Sequence, residues 1–243
     1  MNLNKIKLKR SYFNEEIAEL IGIIYGDGNL NIVKKNNTYR INITGNKETD
    51  YNYLTKYVSS LFERNFDIKP KIWIYKYRKA IAINIYSKKL LEYFLGLGMK
   101  VGPKKRLMVP RIILTNKKYK ARFLRGILDT DFCLYFRNRN GINSYPRVIS
   151  MFSDYNFTNQ LKNLFFKFGI KASICKHITR LGNKVYLQHA IDISGKENLS
   201  NIIKNINFKN ENNITKLKIW QRDGFCKTNL SLQERYNILN NKI

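Results

Sequence analysis

Two aspartates, Asp27 and Asp131, occupy the same place in a motif that occurs twice. Residues 17–30 read IAELIGIIYGDGNL and residues 121–136 read ARFLRGILDTDFCLYF. Aligning Gly22 with Gly126 sets Asp27 on Asp131, 104 residues further on. Each copy is an apolar run that closes on a small residue, Gly26 or Thr130, and then the acid. Gly22 and Gly26 lie four apart, on one helical face, and small residues so spaced let two helix backbones approach closely. Pairing the two copies about a pseudo-twofold axis would bring both carboxylates to one central point. Like charges that close are costly unless a cation sits between them. Carboxylate and carbonyl oxygens are hard ligands, so Asp27 and Asp131, with Gly26 and Thr130 beside them, favour Mg²⁺. Two such acids in a basic protein point to metal-assisted phosphodiester cleavage.

The charge balance supports a phosphate-rich partner. The 243 residues include 45 Lys+Arg against 17 Asp+Glu, a formal net charge of +28. An excess of this size suits the phosphates of duplex DNA or RNA; acidic membranes are the blander alternative. With 44% hydrophobic residues the chain can bury a core. Three scattered cysteines, Cys133, Cys175 and Cys226, show no CxxC spacing and argue against a disulfide framework or a zinc site. The two histidines, His177 and His189, share one short stretch, which argues against histidine-based nuclease chemistry. No apolar run is long enough to span a bilayer, and the basic segment Met1–Arg10 lacks the apolar core of a secretory signal. These features lead us to expect a cytoplasmic or organellar protein that is not secreted and has no membrane partner.

The stretch after each motif also repeats. After Asp27 a hairpin is expected from Asn29–Lys35 and Thr38–Thr44 around Asn36-Asn37, then a helix within Glu48–Asn65, a second hairpin from Lys71 to Tyr86, and a helix capped by Ser87. The second half runs in the same order. Leu134–Arg139 pairs with Arg147–Phe152, a helix carries Phe157, Leu161 and Phe165, Ala172–His177 pairs with Val185–Ile193, and a last helix carries Leu199, Ile202 and Ile206. The expected class is α+β, two pseudo-symmetric αββαββα half-domains. We place the N-terminal half at 1–103, a Gly/Pro-containing linker at 104–118 and the C-terminal half with its tail at 119–243.

The segments LIGIIYGDG (20–28) and LRGILDTDF (124–132) resemble the two copies of the LAGLIDADG motif of homing endonucleases. The resemblance implies a monomer with a central two-helix interface and two saddle-shaped antiparallel sheets lying along the major groove of double-stranded DNA. It also implies two or three divalent cations at the acids, with the metal-binding position falling on Asp27 and Asp131. Phe132 replaces the usual final Gly of the second copy, and Tyr25 stands where the motif name has its first Asp. Polar or basic residues near the scissile phosphates would fall on Asn46 and Lys47, and in the second half on Ser153 and Asp154. The segment GPKK (102–105) resembles the family stretch that brings in a catalytic lysine, here Lys104; Lys209 is the nearest second-half candidate.

Strand alternation assigns the DNA-reading surface. In the first half Asn29, Asn31, Lys35, Arg40, Asn42 and Thr44 share the face opposite Leu30 and Ile41, and the second hairpin adds Trp73, Tyr75, Lys76 and Arg78. In the second half Tyr135, Arg137, Arg139 and Arg147 take the equivalent face, joined by Lys176, His177, Thr179, Arg180 and Gln188. Arg, Asn and Gln read base edges bidentately in the major groove, and carboxylates look nearly absent from these faces. His189, by parity, belongs to the core. The competing readings are an RNA-splicing maturase of the same family, which would bind intron RNA, and a DNA-binding regulator that has lost cleavage; retention of both acids counts against the regulator. The absence of Cys or Ser at the start and of His-Asn at the end argues against an intein.

Overall fold

The computed structural model describes residues 13–104, 106–182 and 184–241; the basic segment Met1–Arg10 lies outside them. Helix α1 (Glu15–Gly26) starts at Asn14, whose side chain accepts a hydrogen bond from the Ile17 N–H at 2.9 Å, and Glu15 and Glu16 sit in its first turn where the helix dipole favours them. Strands β1 (Gly28–Val33), β2 (Thr38–Asn46), β3 (Lys71–Ile74) and β4 (Ala80–Tyr86) form an antiparallel sheet in the order β1-β2-β4-β3. Between β2 and β3 the helix is wide for one turn, π-helical over Tyr53–Val58, before it becomes α2 (Ser59–Phe66). Helix α3 (Lys88–Gly96) is capped by Ser87, as the sequence predicts.

After the short α4 (Arg111–Leu114), α5 (Lys117–Thr130) carries the second motif. Strands β5 (Cys133–Arg139), β6 (Ile142–Phe152), β7 (Ala172–Leu181) and β8 (Lys184–Ser194) repeat the first sheet in the order β5-β6-β8-β7. Helix α6 (Tyr155–Phe166) follows β6, and α7 (Lys196–Asn205) follows β8. The tail forms two helices with no counterpart in the first repeat, α8 (Glu211–Asp223) and α9 (Leu232–Leu239). Trp220 fixes α8 to the second sheet: its ring stacks on Phe136 with centroids 5.4 Å apart, and its Nε1 donates to the Ser144 carbonyl.

By contacts the chain divides into two compact units. The first comprises 1–104 and 110–130; the second comprises 105–109 and 131–243. The second motif helix therefore belongs with the first unit, whose last residue is Thr130. The reason is packing, because α5 buries Phe123, Leu124 and Ile127 alongside Leu20, Ile21 and Ile23 of α1. Among the described residues no helix is long and apolar enough to cross a membrane.

Candidate functional site

The first unit holds the paired motif helices. A Cβ added to Gly22 would lie 2.2 Å from the carbonyl oxygen of Phe123, and one added to Gly126 would lie 2.3 Å from that of Glu19. Phe123 stands to the second motif as Glu19 stands to the first, so these are one contact seen from its two sides. The duplication in sequence is thus a twofold relation between α1 and α5. The pairing of Glu15 with Lys118 and Arg122, and of Glu19 with Arg122 and Arg125, advances in step along both helices. They run parallel, and their C-terminal residues, Gly26 and Thr130, lie at the same end of the pair.

Glu19 is fully buried in this contact. It accepts from the Tyr57 hydroxyl at 2.5 Å and from Arg122 Nη1 at 2.9 Å, with Arg125 Nη1 at 3.6 Å. Burial pushes its carboxyl above the usual range, while Arg125 and Arg122 pull it back. None of this polar network is legible in the sequence, because Glu19 looks like the solvent face of a helix until a second helix covers it.

Asp27 follows Gly26 as the C-cap of α1 and is half-buried. Its N–H donates to the Ile23 carbonyl and its carbonyl accepts from the Thr44 N–H at 3.1 Å, so the backbone of β2 holds the acid at the helix end. Tyr53, from the π-helical turn, is buried nearby, and its hydroxyl has no hydrogen-bond partner among the described residues. That phenol is held well above its ordinary range by burial and then by the negative charges of Asp129, Glu19 and Asp27. Asp129, one residue before Thr130, is itself buried. In the second unit Asp131 leads into β5 and is likewise half-buried.

These groups test whether a metal fits. Among the described residues no cluster of three or more His, Cys, Asp and Glu could hold an ion. The donors at the helix end are carboxylate, carbonyl and hydroxyl oxygens, which suit Mg²⁺, an ion commonly held by one or two carboxylates together with waters and substrate phosphates. The donor chemistry fits a hard divalent cation and not a thiolate- or imidazole-bound one.

The lysine and turn candidates are placed differently. The Gly102 N–H donates to the Leu30 carbonyl at 3.0 Å, which docks the chain on the edge strand β1 two residues before the exposed Lys104. Lys209 is exposed just ahead of Asn210, the N-cap of α8. The Asn46 side-chain oxygen accepts from the Glu48 N–H at 2.8 Å and shapes the turn after β2; Lys47 is half-buried and its N–H donates to the Lys79 carbonyl. Asp154 is the N-cap of α6, and Ser153 beside it is exposed.

On the first sheet the register puts Asn29, Asn31, Arg40, Asn42, Thr44 and Trp73 on one face. Thr44 donates to Asn42, and Asn42 donates to Asn84 of β4 at 2.9 Å, a ladder whose last member no spacing rule singles out. Lys35 is not on this face; it lies in a 3₁₀ turn over Lys34–Asn36 because β1 ends at Val33. Tyr75, Lys76 and Arg78 lie in the turn between β3 and β4, with Lys76 and Arg78 exposed.

On the second sheet Tyr135, Arg137, Arg147, His177, Thr179 and Gln188 share a face. Lys176 and Arg180 are on the opposite face by register, Lys176 across from His189, since successive residues of β7 alternate. His189 is buried against Tyr155, as its parity required. The expectation that these faces lack carboxylates needs one correction. Asp192 of β8 lies among them and pairs side-on with Arg147 through both Nε and Nη2. The Arg139 guanidinium sits 3.7 Å from the centroid of Tyr145.

Solved structures share this architecture. The I-DmoI complex with DNA and Mn aligns with a TM-score of 0.55 at 21% identity, covering 79% of this chain and 96% of that one. The homing endonuclease I-WcaI bound to its DNA recognition sequence aligns at 0.52 and 18%, covering 82% and 85%. The N-terminal LAGLIDADG domain of DUF199/WhiA aligns at 0.53 and 15%, covering 90% of each. The chain has the LAGLIDADG fold. Among curated proteins, the replication factor C small subunit of Methanocaldococcus jannaschii is 31% identical over 213 residues, 87% of this chain. The chain spans about a tenth of that relative's length. No family model matches the sequence.

Proposed function

We propose that the protein is a homing endonuclease that makes a metal-dependent double-strand break in a long, asymmetric duplex DNA site, with Asp27 and Asp131 as the acids of one centre. The parallel pairing of α1 and α5 through Gly22 and Gly126 carries this reading, because it ends both helices together one residue before each acid. The net charge of +28 and the polar, Arg-bearing sheet faces supply the phosphate and base contacts. The residues of each sheet read one half of the site, and because Asn29, Asn31 and Asn42 correspond to Cys133, Tyr135 and Ile149, the two half-sites differ in sequence.

Asp27 and Asp131, with the neighbouring carbonyls, would hold a divalent cation, which would supply positive charge beside the phosphate and lower the pKa of a bound water. The chain's own part is to fix the Asp27 end of α1 through its C-cap and the bond from Thr44, and to carry Lys104 on a segment that Gly102 docks on β1. Neighbours of this fold are known with DNA and Mn, which favours duplex DNA and a divalent ion. The curated relative matches over a tenth of its own length, as a self-contained element lodged in a larger reading frame would. We assign cleavage to the shared segment, not the replication role named for the whole relative.

Incubating the protein with a randomised duplex library, with Mg²⁺ or with EDTA, and sequencing the new ends tests this. Discrete breaks only with metal are expected. Cutting in EDTA, or binding with no cutting under any divalent ion, overturns it.

A further inference from the structure

The strongest unexplained chemistry lies in the second unit, away from the acids. A cavity of about 210 Å³ opens between the start of β5 and the tail, lined by Cys133, Tyr135, Lys216, Cys226 and Arg235 among others. Arg235 of α9 is one of the largest buried side chains, with only 2% of its surface exposed. Its two terminal nitrogens donate to Asn212, to the carbonyl at 2.9 Å and to Oδ1 at 2.8 Å, both neutral acceptors. Its Nε is buried with no hydrogen-bond partner among the described residues.

A second cation faces the same space. Lys216 of α8 is half-buried and donates to the Leu134 carbonyl at 3.1 Å, again a neutral group. Neither cation appears in an ion pair among the described residues. Burial lowers the pKa of both, and no carboxylate is among the groups acting on either; Lys216 also feels Arg235, and both feel Cys133 and Cys226. A guanidinium keeps its proton regardless, so a positive charge stays in the interior without a counter-charge. Buried charge of that kind is costly unless something anionic completes it.

We propose that this cavity is an anion site for a phosphoryl group, held by the Arg235 guanidinium and Lys216 Nζ. The group is tetrahedral and anionic, so its oxygens can meet two convergent donors of different geometry, where a planar carboxylate offers only two oxygens in one plane. It comes either from the backbone of a nucleic acid passing the β5 edge, since Cys133 and Tyr135 reach the outward face from the cavity wall, or from free phosphate or a phosphomonoester. The proposal stands whether or not the chain cleaves DNA.

Isothermal titration of the full chain with inorganic phosphate, at constant ionic strength and without nucleic acid, tests it. One saturable site per chain is expected. Arg235→Met and Lys216→Met should each weaken it by about tenfold or more, and Lys218→Met, an exposed neighbour on α8, should not. Lys216→Gln carries the comparison if Arg235→Met fails to fold. No saturable binding, or the same affinity in wild type and the cavity variants, overturns the proposal. Repeating the titration on the complex with a mixed-sequence duplex assigns the source. Loss of the phosphate site shows that a backbone phosphate fills it; retention shows that it serves a free anion.

Discussion

The carbonyl oxygen of Phe123 occupies the space in which a side chain on Gly22 would have to begin, 2.2 Å from where its Cβ would lie. The obstacle is backbone in a packed helix, not the end of a flexible side chain, so it cannot move aside without parting the helices. Gly22→Ala should destabilise the protein by about 3 kcal/mol, and Gly126→Ala by a similar amount against the Glu19 carbonyl. Urea unfolding measures this. A change below about 0.5 kcal/mol would mean the helices do not meet as described.

Asp27→Asn and Asp131→Asn keep the shape of each acid but remove its charge. On the proposed chemistry each should lower double-strand cleavage by about 100-fold or more while leaving duplex affinity nearly unchanged. Cleavage and gel-shift assays run side by side on the selected site separate the two effects. A variant that still cuts at near-normal rate takes its residue out of the mechanism.

The side-on pairing of Arg147 with Asp192 ties up an arginine on the outward face of the second sheet. Both side chains are partly exposed, so the pair contributes only about 0.5 kcal/mol to stability. Asp192→Asn should therefore leave the melting temperature almost unaltered and free Arg147 for phosphate. Duplex affinity should rise, and the slope of log affinity against log salt should steepen by about one. Fluorescence anisotropy at several salt concentrations gives the slope; a weaker or unchanged affinity would place Arg147 outside the interface.

Glu19 gives the fold a pH dependence of defined sign. Burial raises its folded pKa above the ordinary 4.5, against the pull of Arg125, Tyr57 and Arg122. The folded state thus holds a proton the unfolded chain has released. The stabilising contribution is complete below about pH 4.5 and is lost as pH rises through the higher folded value. Relative to wild type, Glu19→Gln should gain stability across that window and then level off. Urea midpoints from pH 4 to 8 show it; a difference that shrinks as pH rises contradicts the assignment.

Much of this architecture is legible in the sequence because two repeats constrain each other. The Gly22/Gly126 alignment, the Ser87 cap and the inward parity of His189 all come from local rules of spacing. What escapes those rules depends on neighbours distant in sequence. Strand β6 begins at Ile142 and runs through Pro146, a residue that normally argues against a central strand; here it sits opposite Phe136, beside a register shift at Arg137/Asn138. Alternation alone extends to Lys35 a strand that in fact stops at Val33. Charge groups Lys176 and Arg180 with His177 and Thr179, where the pleat separates them. Asp192, Asn84 and Tyr53 take on meaning only once strand register or helix width is known.

The seam in the packing and the seam in the duplication do not coincide, since α5 opens the second repeat yet is counted with the first unit. A gene cut in the linker at 104–118 would therefore strip α1 of its covering helix and leave the Gly22 stripe and Leu20, Ile21 and Ile23 facing water. A cut after Thr130 would keep that surface sealed. The repeats are in this sense not interchangeable modules: the first, taken alone, would bare the face of α1 that the opening helix of the second covers.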